Sequence, residues 1–201
     1  MFLDRDYFDF LLIRFEENDR LGVAGTPFLE NGKHYDYGFT NIAHVSGACQ
    51  LFRRECFEEI GGYIPIKSGG IDWVAVTTAR MKGWETRTFT EKACLHHRKI
   101  GTGNDKALTT WFRQGKKDYF LGNHPLWEVF RTLYQMVKKP YMIRGAFLLS
   151  GFAWAGVKRV ERPISNDLVT FVRKEQMSRL KKVFAKVLSL NSKCHNVQHG
   201  F

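Results

Sequence analysis

The sequence predicts an α/β domain followed by an α-helical appendage. Up to about residue 100, short apolar runs bounded by Gly, Asn and Asp alternate with segments of helical periodicity. Beyond that point only helical periodicity remains. The bulk supports a folded chain: 201 residues, 44% hydrophobic and 14% aromatic, are enough for a real core and exclude a disordered protein.

The elements follow in order. Asp6 to Asn18 predicts a helix, with Phe8, Leu11, Leu12 and Phe15 as its apolar stripe and Asp4 or Asp6 as its cap. Leu21 to Gly25 is a short apolar strand, and Glu30 to Phe39 is a loop rich in turn residues. Ala48 to Phe52 predicts a buried strand. Arg54 to Ile60 is a short helix stopped by Gly61-Gly62. Asp72 to Lys82 is the next helix, with Gly83 just past its end. Glu85 to Phe89 and Ala93 to His97 are strands separated by Thr90-Glu91-Lys92.

Asp105 to Leu121 and Leu126 to Lys138 predict two helices joined at Gly122-Asn123-His124-Pro125. Pro140 opens a third apolar segment. Ser165 caps a long basic helix in which Leu168, Phe171, Val172, Leu180, Phe184, Val187 and Leu188 favour one side. Asn191 to Phe201 is polar and expected to fray.

The formal net charge is +11, which favours a polyanionic partner. Acids outnumber bases from Met1 to Asn31, while bases dominate from Lys138 to Lys193, so the contact surface is expected in the C-terminal segment. Nucleic acid is not the expected partner, because no zinc spacing, RNP-like motif or helix-turn-helix signal accompanies the charge. The cysteines, Cys49, Cys56, Cys94 and Cys194, have no C-x-x-C spacing. With no targeting segment visible at the N-terminus, they are expected to be reduced, mostly buried thiols in a cytosolic setting. The longest charge-free apolar stretch, Gly145 to Val157, has 13 residues. A spanning helix needs roughly 18 or more. Flanked by Lys138-Lys139 and Lys158-Arg159 and carrying Phe147, Phe152 and Trp154, it reads as an interfacial anchor on an anionic leaflet, released by high salt, or as a helix packed on the rest of the protein.

The stretch from Ser46 to Arg98 carries the chemistry. It contains Ser46-Gly47-Ala48-Cys49, Gly61-Gly62-Tyr63, Gly69-Gly70-Ile71-Asp72-Trp73, Lys82-Gly83-Trp84 and His96-His97-Arg98. In this order and spacing it resembles the acceptor-side half of an inverting family 2 glycosyltransferase of the GT-A fold. Asp6-Tyr7-Phe8 and Leu21-Gly22-Val23-Ala24-Gly25 also sit at that family's spacing, as do a linker-like Gly115 to Trp127 and the tail from Arg162. The fold class this implies is α/β, a partial GT-A domain over residues 1–121. A helical, basic, membrane-associated segment follows over 122–201. The Rossmann-like half that binds the donor, with its metal-holding Asp-x-Asp, would precede Met1. Asp4 and Asp6 form a D-x-D string but lie where the family has a later helix start.

The resemblance assigns roles. Asp72 would be the catalytic base that takes the proton of the acceptor hydroxyl. Read from the residue alone, Asp72 is equally a helix N-cap. Ser46, Gly47, Gly70, Trp73, Arg98, Arg113 and Lys116 would contact substrate, with the cations facing the departing diphosphate. Otherwise the glycines are a flexible turn and the cations a solvated face. His97 would be a metal ligand, or else structural; alternation along a strand lets only one of His96 and His97 face the cleft. The implied function is sugar transfer from a nucleotide-sugar donor to a glycan or lipid-linked acceptor in surface-polysaccharide synthesis. A divalent ion (Mg²⁺ or Mn²⁺) would serve in the full-length enzyme. The expected place is cytoplasmic, at the inner face of the plasma membrane. The alternative is a non-catalytic, membrane- or partner-binding remnant of such an enzyme.

Overall fold

The structure, a computed structural model, describes residues 3–29, 41–66, 69–95, 104–139 and 141–197. Among these the chain is mixed α/β, with a small mixed sheet in its first part and helices in its second. It packs as two compact units, Met1–Ala107 and Leu108–Phe201. The sequence reading drew its division after Leu121.

In the first unit β1 (Leu21–Gly25) is the central strand, buried along its whole length, as a continuous apolar run predicts. It pairs antiparallel with β3 (Leu51–Phe52) and parallel with β4 (Glu85–Thr88). An irregularity between Leu21 and Val23 turns Leu21 and Ala24 to one face and Val23 to the other. On the first face α1 (Tyr7–Glu16) packs with Tyr7, Leu11 and Phe15. On the second, Val23 meets Cys56 of α2 (Arg54–Glu59) and Ala75, Val76 and Ala79 of α3 (Ile71–Met81). A separate parallel pair joins β2 (Phe28–Leu29) to β5 (Cys94–Leu95).

Local chemistry explains these joints. Arg53 closes α1: its guanidinium donates to the carbonyls of Phe15 (2.6 Å), Asn18 (3.2 Å) and Leu21 (3.1 Å), including carbonyls left open at the helix end. β4 alternates exposed and buried, and its buried Thr86 and Thr88 hydroxyls donate to the Ala43 and His44 carbonyls at 2.6 Å each. That fastens the segment leading to the candidate site against the sheet.

Several expectations are corrected here. The α1 stripe is Tyr7–Leu11–Phe15: Leu11 and Phe15 are buried as expected, but Phe8 and Leu12 are exposed and Tyr7 takes the inner place, packed with Leu21, Ala24 and Phe89 and bonded by the Thr26 hydroxyl at 3.2 Å. The strand expected over Ala48 to Phe52 shrinks to Leu51–Phe52, since Gly47–Cys49 coils into a 3-10 turn. The loop expected over Glu30 to Phe39 lies outside the described residues.

The thiol expectation is also overturned. Cys49 and Cys94 form a disulfide, their Cα atoms 7.3 Å apart, while Cys56 is a free buried thiol. The pairing of β5 with β2 carries Cys94 across 45 residues to Cys49, a proximity no sequence spacing encodes. Burial pushes the Cys56 thiol up to about 11, with Glu59 adding to it.

The second unit is helical: α4 (Asn104–Phe120), α5 (Pro125–Met136), α6 (Ile143–Val157) and α7 (Asn166–Val197). Pro125 stands at the start of α5, and His124 Nδ1 accepts from the Leu126 N–H at 3.2 Å. Ser165 Oγ accepts from the Leu168 N–H at 3.2 Å, the cap the sequence predicts. α7 runs on to Val197, so the fraying expected from Asn191 is not seen before that residue. Its buried side is Leu168, Val169, Val172 and Gln176. Phe184, expected on the apolar side, is 55% exposed.

A buried polar cluster lies inside these helices. Arg131 pairs with Asp118 at 2.6 Å, and Gln114 donates to Asp118 at 2.9 Å. Asn123 donates to Glu128 at 3.0 Å, and Gln176 donates to Asn123 at 2.7 Å. Burial and then the Asp118 charge raise the Glu128 carboxyl to about 7, against the pull of Arg131 and the Asn123 bond. Burial pushes the Asp118 carboxyl up as well.

A carboxyl raised in the folded state stabilises it fully below the unfolded pKa, and the contribution is lost as pH rises through the folded one. For Glu128 that window runs from 4.5 to about 7. The loss is at most about 3 kcal/mol. Glu128→Gln keeps an acceptor for Asn123 and removes the titration. Thermal melts from pH 5 to 8 should show the wild type losing stability relative to this variant; parallel curves would refute the shift.

Candidate functional site

The site is built at the start of α3. Gly70 caps the helix at φ 98°, a left-handed conformation that glycine adopts without strain, and Ile71 begins the helix one residue earlier than predicted. Asp72 therefore sits inside the first turn rather than at the cap. No side chain caps this helix end, so the N-cap reading of Asp72 is corrected. Its carboxylate reaches across to the 3-10 turn, where Oδ2 accepts from the Gly47 N–H at 3.3 Å.

Gly47 is needed for that approach. A Cβ there would lie 2.7 Å from Asp72 Cβ and 2.8 Å from Oδ2. Gly47 and Ala48 are exposed while Asp72, Ser46 and Trp73 are half-buried, so the carboxylate lies beside an open backbone edge.

Two neighbours escaped the sequence reading. Gln50 Nε2 donates to the Val45 carbonyl at 2.8 Å and to the Asp72 main-chain carbonyl at 3.3 Å, tying the turn to α3. The Tyr63 hydroxyl donates to Gln50 Oε1 at 2.9 Å, and its ring stacks edge-on against Phe52 and Phe57. Burial, and then the Asp72 charge, raise the Tyr63 hydroxyl. Gly61-Gly62-Tyr63 was visible as a motif. The polar partner of Tyr63, 13 residues before it, was not.

The Cys49–Cys94 disulfide anchors the C-terminal end of the 3-10 turn to β5, the strand that leads toward His96 and His97. His97 and Arg98 lie outside the described residues. Among the described residues there is no cluster of three or more His, Cys, Asp or Glu that could hold a metal ion.

Arg113 and Lys116 belong to α4 in the second unit. Arg113 is exposed, and Lys116 Nζ lies 4.4 Å over the Trp154 ring. A separate cleft in the first unit, about 280 Å³, is lined by Arg14, Glu17, Asn18, Glu85, Arg87 and Glu91 among others. Its charges are largely paired with each other, Arg14 with Glu17 at 2.9 Å and with Glu91 at 3.6 Å, and it holds none of the candidate residues.

Of the three α6 aromatics expected at a membrane, Phe152 packs on Tyr119 with ring centroids 5.7 Å apart, while Phe147 and Trp154 remain partly exposed. No helix among the described residues is long and apolar enough to cross a membrane. No protein-family model, curated protein or solved structure matches the chain.

Proposed function

We propose that this chain is the acceptor-side half of an inverting glycosyltransferase, with Asp72 as its catalytic base. The observation that carries the reading is the Asp72 carboxylate, held at the first turn of α3 against the open Gly47 backbone. In the reaction the acceptor oxygen attacks the anomeric carbon and a new C–O bond forms. The bond to the diphosphate breaks, and its electron pair leaves with the nucleoside diphosphate. The acceptor proton goes to Asp72. The Gly47 N–H positions that carboxylate, Gln50 holds the Asp72 main chain, and Ser46, Gly70 and Trp73 are the proposed surface for a sugar.

On this reading a donor-binding half would hold the diphosphate, with a divalent ion supplying positive charge against it. Arg98, Arg113 and Lys116 are the proposed diphosphate contacts, and His97 the proposed ligand from this chain. The basic second unit suits an anionic membrane surface and a lipid-linked acceptor. The Cys49–Cys94 bond removes the argument from reduced thiols for a cytosolic setting. The inner face of the plasma membrane is retained on the basic charge alone, because that leaflet is anionic.

The test is donor binding and transfer with and without a preceding donor half. The 201-residue chain alone should give no transfer and no calorimetric signal with nucleotide sugars. The extended protein should transfer from one of a panel of them. Micromolar binding by the chain alone would show that no second half is needed. An extended protein that binds membranes yet transfers nothing would favour the second reading, a non-catalytic remnant. That reading has its own support in the exposed apolar and basic surface of the second unit.

A further inference from the structure

We infer that the second unit seats itself in the bilayer interface through the outer face of α5 and the turn that follows it, rather than resting on headgroups by its cations alone. This rests on the membrane reading above and deepens it. α5 is built inside out. Leu126, Val129, Leu133 and Val137, spaced as one helical stripe, are 60%, 45%, 58% and 69% exposed. The opposite side buries Glu128 and Thr132 fully, with Arg131 paired to Asp118. A helix on a protein surrounded by water shows the reverse pattern, with its apolar stripe inward and its charges outward. Here Arg131 pairs with Asp118 and Asn123 donates to Glu128 on the inner side, and the leucines and valines face out. Tyr141 and Met142, 60% and 66% exposed, extend the apolar surface beyond the helix end.

Charge decides what covers this face. From Pro125 to Arg159 the exposed charges are all basic, Lys138, Lys139, Lys158 and Arg159, with Arg144 half-buried, while Arg131 and Glu128 lie on the inner side. Two copies docked by this face would bring like charges together. An anionic leaflet brings opposite ones, and lysines beside an apolar stripe can reach headgroups while their stems lie along it. No described helix is long and apolar enough to span, so the stripe lies in the plane of the interface.

The experiment is cosedimentation of the 201-residue chain with phosphatidylcholine vesicles containing phosphatidylglycerol, at low salt and at about 0.5 M salt, where surface charge is screened within a few ångströms. Wild type should weaken at high salt but stay bound. The triple variant Leu126→Ser, Leu133→Ser, Val137→Ser should lose about tenfold or more of the high-salt partitioning. Its melting temperature should be unchanged, since these side chains are exposed. Binding that salt releases entirely and the variant leaves intact would overturn insertion while sparing charge-based docking. No binding at any salt would remove the membrane reading itself. A melting loss would mean the stripe is packed, and a dimer dispersed by the variant without vesicle binding would give the face to a second copy; either overturns the inference.

Discussion

On the assignment proposed above, Asp72→Asn in the extended protein should lower kcat by about a thousandfold with little change in donor binding, because a positioned general base contributes on the order of 10²–10⁴. The amide preserves the local structure: its oxygen can still accept from the Gly47 N–H, as Oδ2 does at 3.3 Å. What it cannot do is take the acceptor proton. Gly47→Ala provides an independent check. The added methyl would press on Asp72 Cβ and Oδ2, moving the carboxylate without removing it. That variant should lose part of kcat and some stability, because Asp72 Cβ cannot swing aside, so its rate is read on protein shown to be folded by a thermal melt. Single-turnover rates measured beside calorimetric donor binding separate chemistry from binding. Near-normal turnover in Asp72→Asn would leave the carboxylate only the structural role of holding the turn.

Gly115→Ala should destabilise the second unit by about 3 kcal/mol, the upper end of what overpacking costs, and Gly151→Ala by a similar amount. In an isolated helix the same change stabilises by about 1 kcal/mol, so the expected sign is the opposite of propensity. The reason is a close backbone crossing. A Cβ on Gly115 of α4 would overlap the Leu148 carbonyl oxygen of α6 and lie 2.8 Å from the Phe152 nitrogen. A Cβ on Gly151 would overlap the Phe112 carbonyl oxygen and lie 2.9 Å from its carbon. Backbone cannot swing aside as a long side chain does, so the helices must separate and Leu148, fully buried between them, loses contacts. Chemical denaturation of both variants measures the effect. A stability equal to or above wild type would show that the helices do not cross at this distance.

How far the sequence could be read depended on which interactions are local. Leu21 to Gly25 gave itself away as a buried strand, because five small or apolar residues in a row have no polar side to show water. Ser165 was legible as a cap because its bond reaches only three residues ahead. The glycine ends of α2 and α3 were legible for the same reason. In the α1 stripe Leu11 and Phe15 were legible, while Phe8 and Leu12 were included and Tyr7 left out, since all lie within one helical arc. Packing of Tyr7 with Leu21, Ala24 and Phe89, and its bond from Thr26, places it inside instead.

At the candidate site the sequence supplied Asp72, Gly70 and Gly47 as an ordered set, but it offered two roles for Asp72. Tertiary structure removed the cap role, because Gly70 takes the cap position and the Asp72 carboxylate bonds instead to the 3-10 turn, 25 residues away in sequence. It also supplied Gln50 and Tyr63, whose partners lie on other elements.

By itself, then, the sequence determined the alternation of strands and helices, most helix starts and ends, the basic C-terminal half and the order of candidate residues, all set by neighbours within a few positions. Only the tertiary structure decided the Cys49–Cys94 bond, the buried Asp118–Arg131–Glu128 cluster and the outward face of α5. Each of these depends on residues far apart in the chain, or on which side of a helix finds a partner. An apolar stripe in the sequence announces that a helix has two faces, and packing alone settles which of them turns inward.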